Sequence, residues 1–211
     1  MIKLPDKELS FEFENGFYLT CPPSRIGKML AQYELFKKAG NVKGSILECG
    51  VYKGASLSRF AMFRKLLGYN GKNIIGFDTF DIFPETNFEK DIALRQAFID
   101  DSGAQSISKS QLLKVLNQKG CSELIELVGG DICDTVPKYV EKNPDLKISL
   151  LNLDVDIYEP SITILESLYP LIVKGGILIL DDYGSFPGET QAVDEYFGKQ
   201  TNELCQFSYC K

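Results

Sequence analysis

Short apolar runs alternate with helical patterns through the middle of the chain. SILEC (45–49), NIIGFD (73–78), ELIELV (123–128), ISLLNLD (148–154) and GGILILDD (175–182) each read as a strand. They show little of the polar alternation of a half-exposed sheet, so the pattern predicts a sheet covered on both faces. Between the first two runs, LSRFAMFRKLLG (57–68) places Leu57, Phe60, Ala61, Phe63 and Leu67 near one face of a helix. Further helices are predicted from Arg25 to Ala39, from about Pro160 to Val173, and over TQAVDEYFGK (190–199). Proline suits an early helical position, which favours a start near Pro160. Strands alternating with helices predict a doubly wound, mostly parallel α/β sheet with helices on both faces. The first 24 residues show no periodicity before Pro22-Pro23-Ser24. Residues 81–110 are polar and mixed in charge, which fits a loop with a helix inside, the kind of insertion that forms an active-site lid. No repeat or linker interrupts the 211 residues, so 1–211 is read as a single domain with an N-terminal helical segment over about 1–40.

In such sheets ligands bind outside the carboxyl ends of the strands. Those ends here read Glu48-Cys49-Gly50, Asp78, Asp131, Asp154 and Asp181-Asp182. Any one of them suits a helix cap or a turn, but together they describe one acidic crevice. In ILECGVYKGASLSRF (46–60) a strand ends at an acid, a glycine loop follows, and a helix begins. Glycines there let the backbone approach a ligand closely, although the spacing is not GxGxxG. Asp78 closes the second strand, where an acid accepts hydrogen bonds from ribose hydroxyls. Asp131 closes the third in the same way. Residues 150–184 then carry D-x-D-x-Y at one strand end and D-D-Y at the next. Strand pairing sets these ends side by side, and their carboxylates repel unless they are protonated or hold a cation. A hard cation such as Mg²⁺ or Ca²⁺ takes oxygen ligands and relieves that repulsion.

Composition narrows the chemistry. The net charge of -6 and pI near 4.9 supply no basic footprint, so no nucleic-acid partner is expected. No run of about 18 apolar residues occurs, so no membrane span is expected. MIKLPDKELSFEFENG lacks the apolar run of a secretory signal, and six cysteines without a CxxC pair read as reduced thiols, so a cytoplasmic location is expected. Histidine is absent. That excludes a Ser-His-Asp triad, imidazole metal ligands and a histidine base, and leaves carboxylates, Lys, Tyr, Cys or a metal-bound oxygen.

The pattern E-x-G-x-x-x-G at Glu48, Gly50 and Gly54 resembles the first motif of class I methyltransferases. The run from Asp154 to Gly184, with ECGVYKG, FDTF, GDICDTVP and GETQAVDEYF in order, resembles the macrocin O-methyltransferase family over roughly residues 25–199. The resemblance implies a Rossmann-like class I fold, S-adenosylmethionine as cofactor, and a sugar or glycosylated small molecule as acceptor. It implies a cofactor site of Glu48, Gly50, Val51, Tyr52, Gly54, Ser56, Asp78, Thr79, Asp131 and Ile132. It also implies Asp154, Asp181 and Asp182 as ligands of a divalent cation, Mg²⁺ foremost, Asp156 as general base, and a homo-oligomer. Two departures stand out. Only TNELCQFSYCK follows the last predicted helix, so the family's closing strand hairpin is expected to be shortened. DIFPET follows FDTF in place of an acidic-Gly-Leu-Pro turn, which leaves the acceptor open between a nucleotide-linked deoxysugar, a glycosylated natural product and a polysaccharide sugar. A catechol-type O-methyltransferase acting on a small vicinal diol would pair Asp with Asn and place a Lys near Asp154. A metal-dependent hydrolase would not need the glycine loop and Asp78. A non-catalytic cofactor-binding protein would have no use for the acidic set.

Overall fold

Five of the apolar runs become parallel strands in the computed structural model, which describes residues 1–210: β1 Ser45–Cys49, β2 Ile74–Asp78, β3 Ile125–Gly129, β4 Ile148–Leu153 and β5 Ile172–Leu180. Eight α-helices accompany them: α1 Ser10–Thr20, α2 Pro23–Gly40, α3 Ala55–Leu66, α4 Glu89–Ser102, α5 Lys109–Gln118, α6 Ile132–Lys142, α7 Tyr158–Leu168 and α8 Pro187–Phe197. The strand order is β3-β2-β1-β4-β5. The chain therefore leaves the sheet centre in one direction through β2 and β3, and returns to the other side through β4 and β5. The order reverses between β1 and β4, and at such a switch point the loops part to leave a crevice.

Two cores cover the two faces. Leu47 and Cys49 of β1, Phe77 of β2 and Leu153 of β4 pack with Val136 of α6, Leu165 of α7 and Val193 of α8. Ile46 of β1, Ile74 of β2 and Leu150 of β4 face the other way, against Phe36 of α2, Phe60 of α3 and Leu116 of α5. The central strands are buried on both sides, which is why their apolar residues run without alternation.

The observed boundaries differ from the expected ones in four places. β5 begins at Ile172, ahead of the Gly-Gly turn, and α7 ends at Leu168. The helix expected to run to Val173 thus stops five residues short, because Tyr169–Leu171 form a 3-10 turn that feeds the strand. α1 occupies the segment that lacked periodicity; it buries none of its residues, so no apolar stripe was needed to hold it. The C-terminal hairpin is reduced further than expected: no strand follows Leu180 among the described residues. Gly198–Glu203 form a 3-10 turn instead. The tail beyond crosses α2 at Gly27, where a Cβ would overlap the Tyr209 carbonyl.

Candidate active site

The glycine loop after β1 is shaped by its neighbours. Gly50 has φ 92°, and a Cβ there would overlap the Asp154 carbonyl oxygen at the end of β4. Only glycine lets the two strand ends come this close. Asp78, at the end of β2, holds the loop from the other side. Its Oδ2 accepts the N–H groups of Val51 at 2.9 Å and Tyr52 at 2.8 Å. Its Oδ1 accepts the Phe80 N–H at 2.6 Å and the Thr79 hydroxyl at 3.3 Å. Any role toward a ribose is shared with this structural one. Tyr52, itself at φ 47°, offers its hydroxyl to the carbonyls of Ser102 at 2.6 Å and Gly103 at 2.7 Å, and its ring packs on Phe98. The loop is thereby fastened to the end of α4, within the insertion.

Glu48 and Gly54 lie beneath the loop rather than in the cavity wall. Glu48 is fully buried; its Oε1 accepts the Asn152 amide at 3.3 Å and its Oε2 has no partner. Burial pushes its carboxyl up to about 8, against the pull of hydrogen bonds from Ser56 and Asn152 and of the Arg59 charge. Gly54 caps α3 in the left-handed conformation at φ 82°. Asp131 caps α6, its Oδ1 accepting the Cys133 N–H at 2.8 Å. Asp131 and Ile132 line the same cavity as Gly50, Val51, Ser56 and Thr79.

The aspartates after β4 and β5 meet as the pairing of those strands requires. Oxygens of Asp154, Asp156 and Asp182 lie within 4.8 Å of one another. Asp181 turns instead to Lys28 of α2, whose ammonium pairs with it and lies 3.7 Å from Asp154. The acidic group that the structure assembles is thus Asp154, Asp156 and Asp182, where the resemblance implied Asp154, Asp181 and Asp182 as ligands with Asp156 apart. Burial raises the Asp156 carboxyl to about 7 and, with the neighbouring Asp156 and Asp181 charges, Asp182 to about 8. Burial and Asp181 raise Asp154 as well. Asp156 and Asp182 are close enough for each to act on the other's ionisation, so a proton shared between them would relieve their repulsion. Burial alone would lower the Lys28 ammonium, but Asp154 and Asp181 outweigh it and hold the group above its usual range.

Several residues at the site were not singled out from the sequence. Glu189 of α8 is fully buried; one oxygen accepts the Asp182 N–H at 3.0 Å and the other has no partner. Its place in GETQAVDEYF was a signal that could have marked it. Arg25 and Lys28 sit three residues apart on a predicted helix and face the cavity with Arg59 of α3. Asp91 of the insertion accepts N–H groups from Gly188 and Tyr158, a long-range contact with no local sequence signal. The cavity that joins these groups has a volume of about 860 Å³ and is bordered by Phe83, Glu85 and Phe98 of the insertion and Phe17 of α1.

A doubly wound parallel sheet with an acid–glycine loop after β1, an acid closing β2 and carboxylates closing β4 and β5 defines a class I methyltransferase fold. The family model described as Macrocin-O-methyltransferase (TylF) matches residues 25–205, and the chain belongs to that family. It is 25% identical over 163 residues to an 8-demethyl-8-(2,3-dimethoxy-alpha-L-rhamnosyl)-tetracenomycin-C 4'-O-methyltransferase of Streptomyces olivaceus, covering 76% of this chain and 60% of the relative. It is 26% identical over 161 residues to a demethyldecarbamoylnovobiocin O-methyltransferase of Streptomyces niveus, covering 75% and 60%. The chain thus spans about 60% of the length of these curated relatives. Among solved structures, CalS11, a calicheamicin methyltransferase, superposes with a TM-score of 0.71 at 30% identity, over 90% of this chain and 77% of that one.

Proposed function

We infer that the chain transfers a methyl group from S-adenosylmethionine to a hydroxyl of a sugar or glycosylated small molecule, with a divalent cation at the aspartates. The carrying observation is one cavity that runs from the Gly50–Ser56 loop to Asp154, Asp156, Asp181 and Asp182. Its volume of about 860 Å³ lies within the range of small-molecule sites. Relatives whose names describe methylation of rhamnosyl and other natural-product acceptors support the acceptor class.

Methyl transfer from a sulfonium is a single displacement, so much of the acceleration comes from holding the acceptor oxygen in line with the methyl group. The backbone of Gly50, Val51 and Tyr52, the Ser56 hydroxyl and Asp78 would hold the cofactor, with Asp131 and Ile132 at its far end. S-adenosylmethionine supplies the methyl group when bound. The insertion over 81–110 acts as the lid that keeps water from the transfer.

The residues present fit a cation. Three carboxylates offer hard oxygens within 4.8 Å, and Asp182 Oδ2 is buried without a partner. Asp154 and Asp182 would hold the ion, with Asp181 as a third ligand once it is released from its pairing with Lys28. When bound, a divalent ion such as Mg²⁺ supplies positive charge that offsets the carboxylates and makes a nearby hydroxyl more acidic. Asp156 then takes the acceptor's proton; burial raises its carboxyl and so strengthens it as a base, and the cation's charge would oppose that rise. The closeness of Asp156 to Asp154 and Asp182 favours a second reading, in which Asp156 is itself a ligand.

The remaining expectations are carried as part of this proposal. Residues 1–211 act as one domain. No helix of the described residues is long and apolar enough to cross a membrane, and no cysteine among them is in a disulfide, which supports work in the cytoplasm. Exposed Phe11, Tyr18 and Leu19 on α1 support assembly of copies into a homo-oligomer.

The test is transfer of labelled methyl from S-adenosylmethionine to a panel of nucleotide-linked sugars, glycosides and a catechol, with and without chelator. Transfer that stops in chelator and returns with Mg²⁺ is expected. Full turnover in excess chelator would remove the cation, and transfer only to a catechol would favour the vicinal-diol reading.

A further inference from the structure

Four cations line the cavity, and of these only Lys28 has a counter-ion, while Lys53 donates to the Ser102 carbonyl. Lys28 is engaged by Asp181 and Asp154. Arg59 lies on α3 one turn beyond Ser56 and forms no ion pair within 4.0 Å and no hydrogen bond among the described residues; its Nε is buried without a partner. Arg25, one turn before Lys28 on α2, is likewise unpaired and faces the same space. The two guanidinium groups are near enough to repel each other. The acids around Arg59 are Glu48 below it and Asp181 and Asp154 beside it, the last two already sharing the Lys28 charge. A partly desolvated charge without a partner is costly to keep, and Arg59 persists although the exposed Arg25 adds a like charge nearby.

We propose that Arg25 and Arg59 form an oxyanion-binding pair that takes a carboxylate or phosphate of a small molecule bound in this cavity. The planar guanidinium fork suits both groups, since each presents two coplanar or near-coplanar oxygens. Both arginines line the cavity that Ser56, Asp154 and Asp181 also line, and two sources would bring such an anion to it. One is the amino-acid carboxylate of the cofactor. The other is a phosphate of a nucleotide-linked acceptor. The inference rests on the reading of this cavity as a cofactor and acceptor site.

Calorimetric titration of the full chain and of Arg59→Gln, Arg25→Gln and Arg59→Lys separates the sources. The probes are S-adenosylhomocysteine, a nucleoside diphosphate, and 5'-methylthioadenosine, which lacks the amino-acid tail. Arg59→Gln is expected to weaken an anionic probe about tenfold or more, as loss of a charge-assisted fork does, and to leave 5'-methylthioadenosine unchanged. Arg59→Lys is expected to fall between wild type and Arg59→Gln. Loss confined to S-adenosylhomocysteine assigns the cofactor carboxylate, and loss confined to the diphosphate assigns an acceptor phosphate. Both anionic probes unchanged in both Gln variants would overturn the pair. Equal weakening of 5'-methylthioadenosine, or a lowered melting temperature accompanying the loss, would overturn it too, because the arginine would then be structural. If the wild-type chain bound none of the three probes, the cavity reading itself would fail, a result distinct from the others.

Discussion

Replacing Asp91 by alanine removes a clamp between the insertion and the two helices that follow the carboxylates after β4 and β5. Asp91 Oδ1 accepts the Gly188 N–H at 2.8 Å and Oδ2 accepts the Tyr158 N–H at 3.0 Å. Both amides lie in first helical turns, where N–H groups have no partner within the helix. The side chain is fully buried, and burial raises its carboxyl, so part of the gain from the two bonds is spent on desolvation. A hydrogen bond to a charged group contributes about 1.5–3 kcal/mol, and two such bonds less that cost leave about 2–4 kcal/mol. For a domain near this size each kcal/mol moves the melting temperature by about 2–4 °C, so Asp91→Ala is expected to lower it by about 5–15 °C. Asp91→Asn keeps one acceptor oxygen and is expected to lose about half as much. Thermal unfolding followed by circular dichroism gives the size. Hydrogen exchange at Tyr158 and Gly188 gives the location, with protection lost at both amides. A fall below about 2 °C for Asp91→Ala, or a larger fall for Asp91→Asn, would refute the clamp.

Other consequences are as direct. Gly50→Ala sets a Cβ against the Asp154 carbonyl at a φ of 92°, so it should weaken S-adenosylhomocysteine binding and lower the melting temperature together; unchanged affinity would separate the loop from the cofactor. Asp156 and Asp182 have carboxyls raised above the unfolded value, to about 7 and about 8, so the stability they contribute is full below about pH 4, declines as pH rises from there, and is gone once pH has passed those values. In chelator the melting temperature should therefore fall between about pH 4 and about pH 8, Asp182→Asn should flatten that fall, and a melting temperature that rises with pH across that range would contradict the buried pair. Asp156→Asn should keep Mn²⁺ affinity and lose turnover, whereas Asp182→Asn should lose both; loss of Mn²⁺ binding in Asp156→Asn would move that residue from base to ligand.

The strands were legible because burial on both faces leaves an unbroken apolar signature, as in ISLL of β4 and IIGF of β2. The acids at the strand ends were legible for the same reason: each closes such a run. What remained hidden depends on partners distant in sequence. α1 falls inside the helical segment expected over about 1–40, but it packs too little for an apolar stripe to mark its bounds, and Asp91 is held in place only through Tyr158 and Gly188. The grouping within the acidic set was also hidden. Pairing of β4 with β5 places Asp154, Asp181 and Asp182 together, but the turn of Asp181 toward Lys28 depends on where α2 crosses the sheet edge. The left-handed backbone of Asp156, φ 65°, aims its carboxylate at Asp182, and no residue pattern announces it.

The central claim is that the crevice lined by the Gly50 loop and Asp78 is a cofactor site opening onto the aspartates. Titration of the full chain with S-adenosylhomocysteine tests it most directly. Saturable binding of one molecule per chain in the micromolar range, lost in Gly50→Ala, is the expected result, corresponding to about 8 kcal/mol of binding free energy. Absence of binding up to about 1 mM, or binding indifferent to Gly50→Ala, would contradict the account.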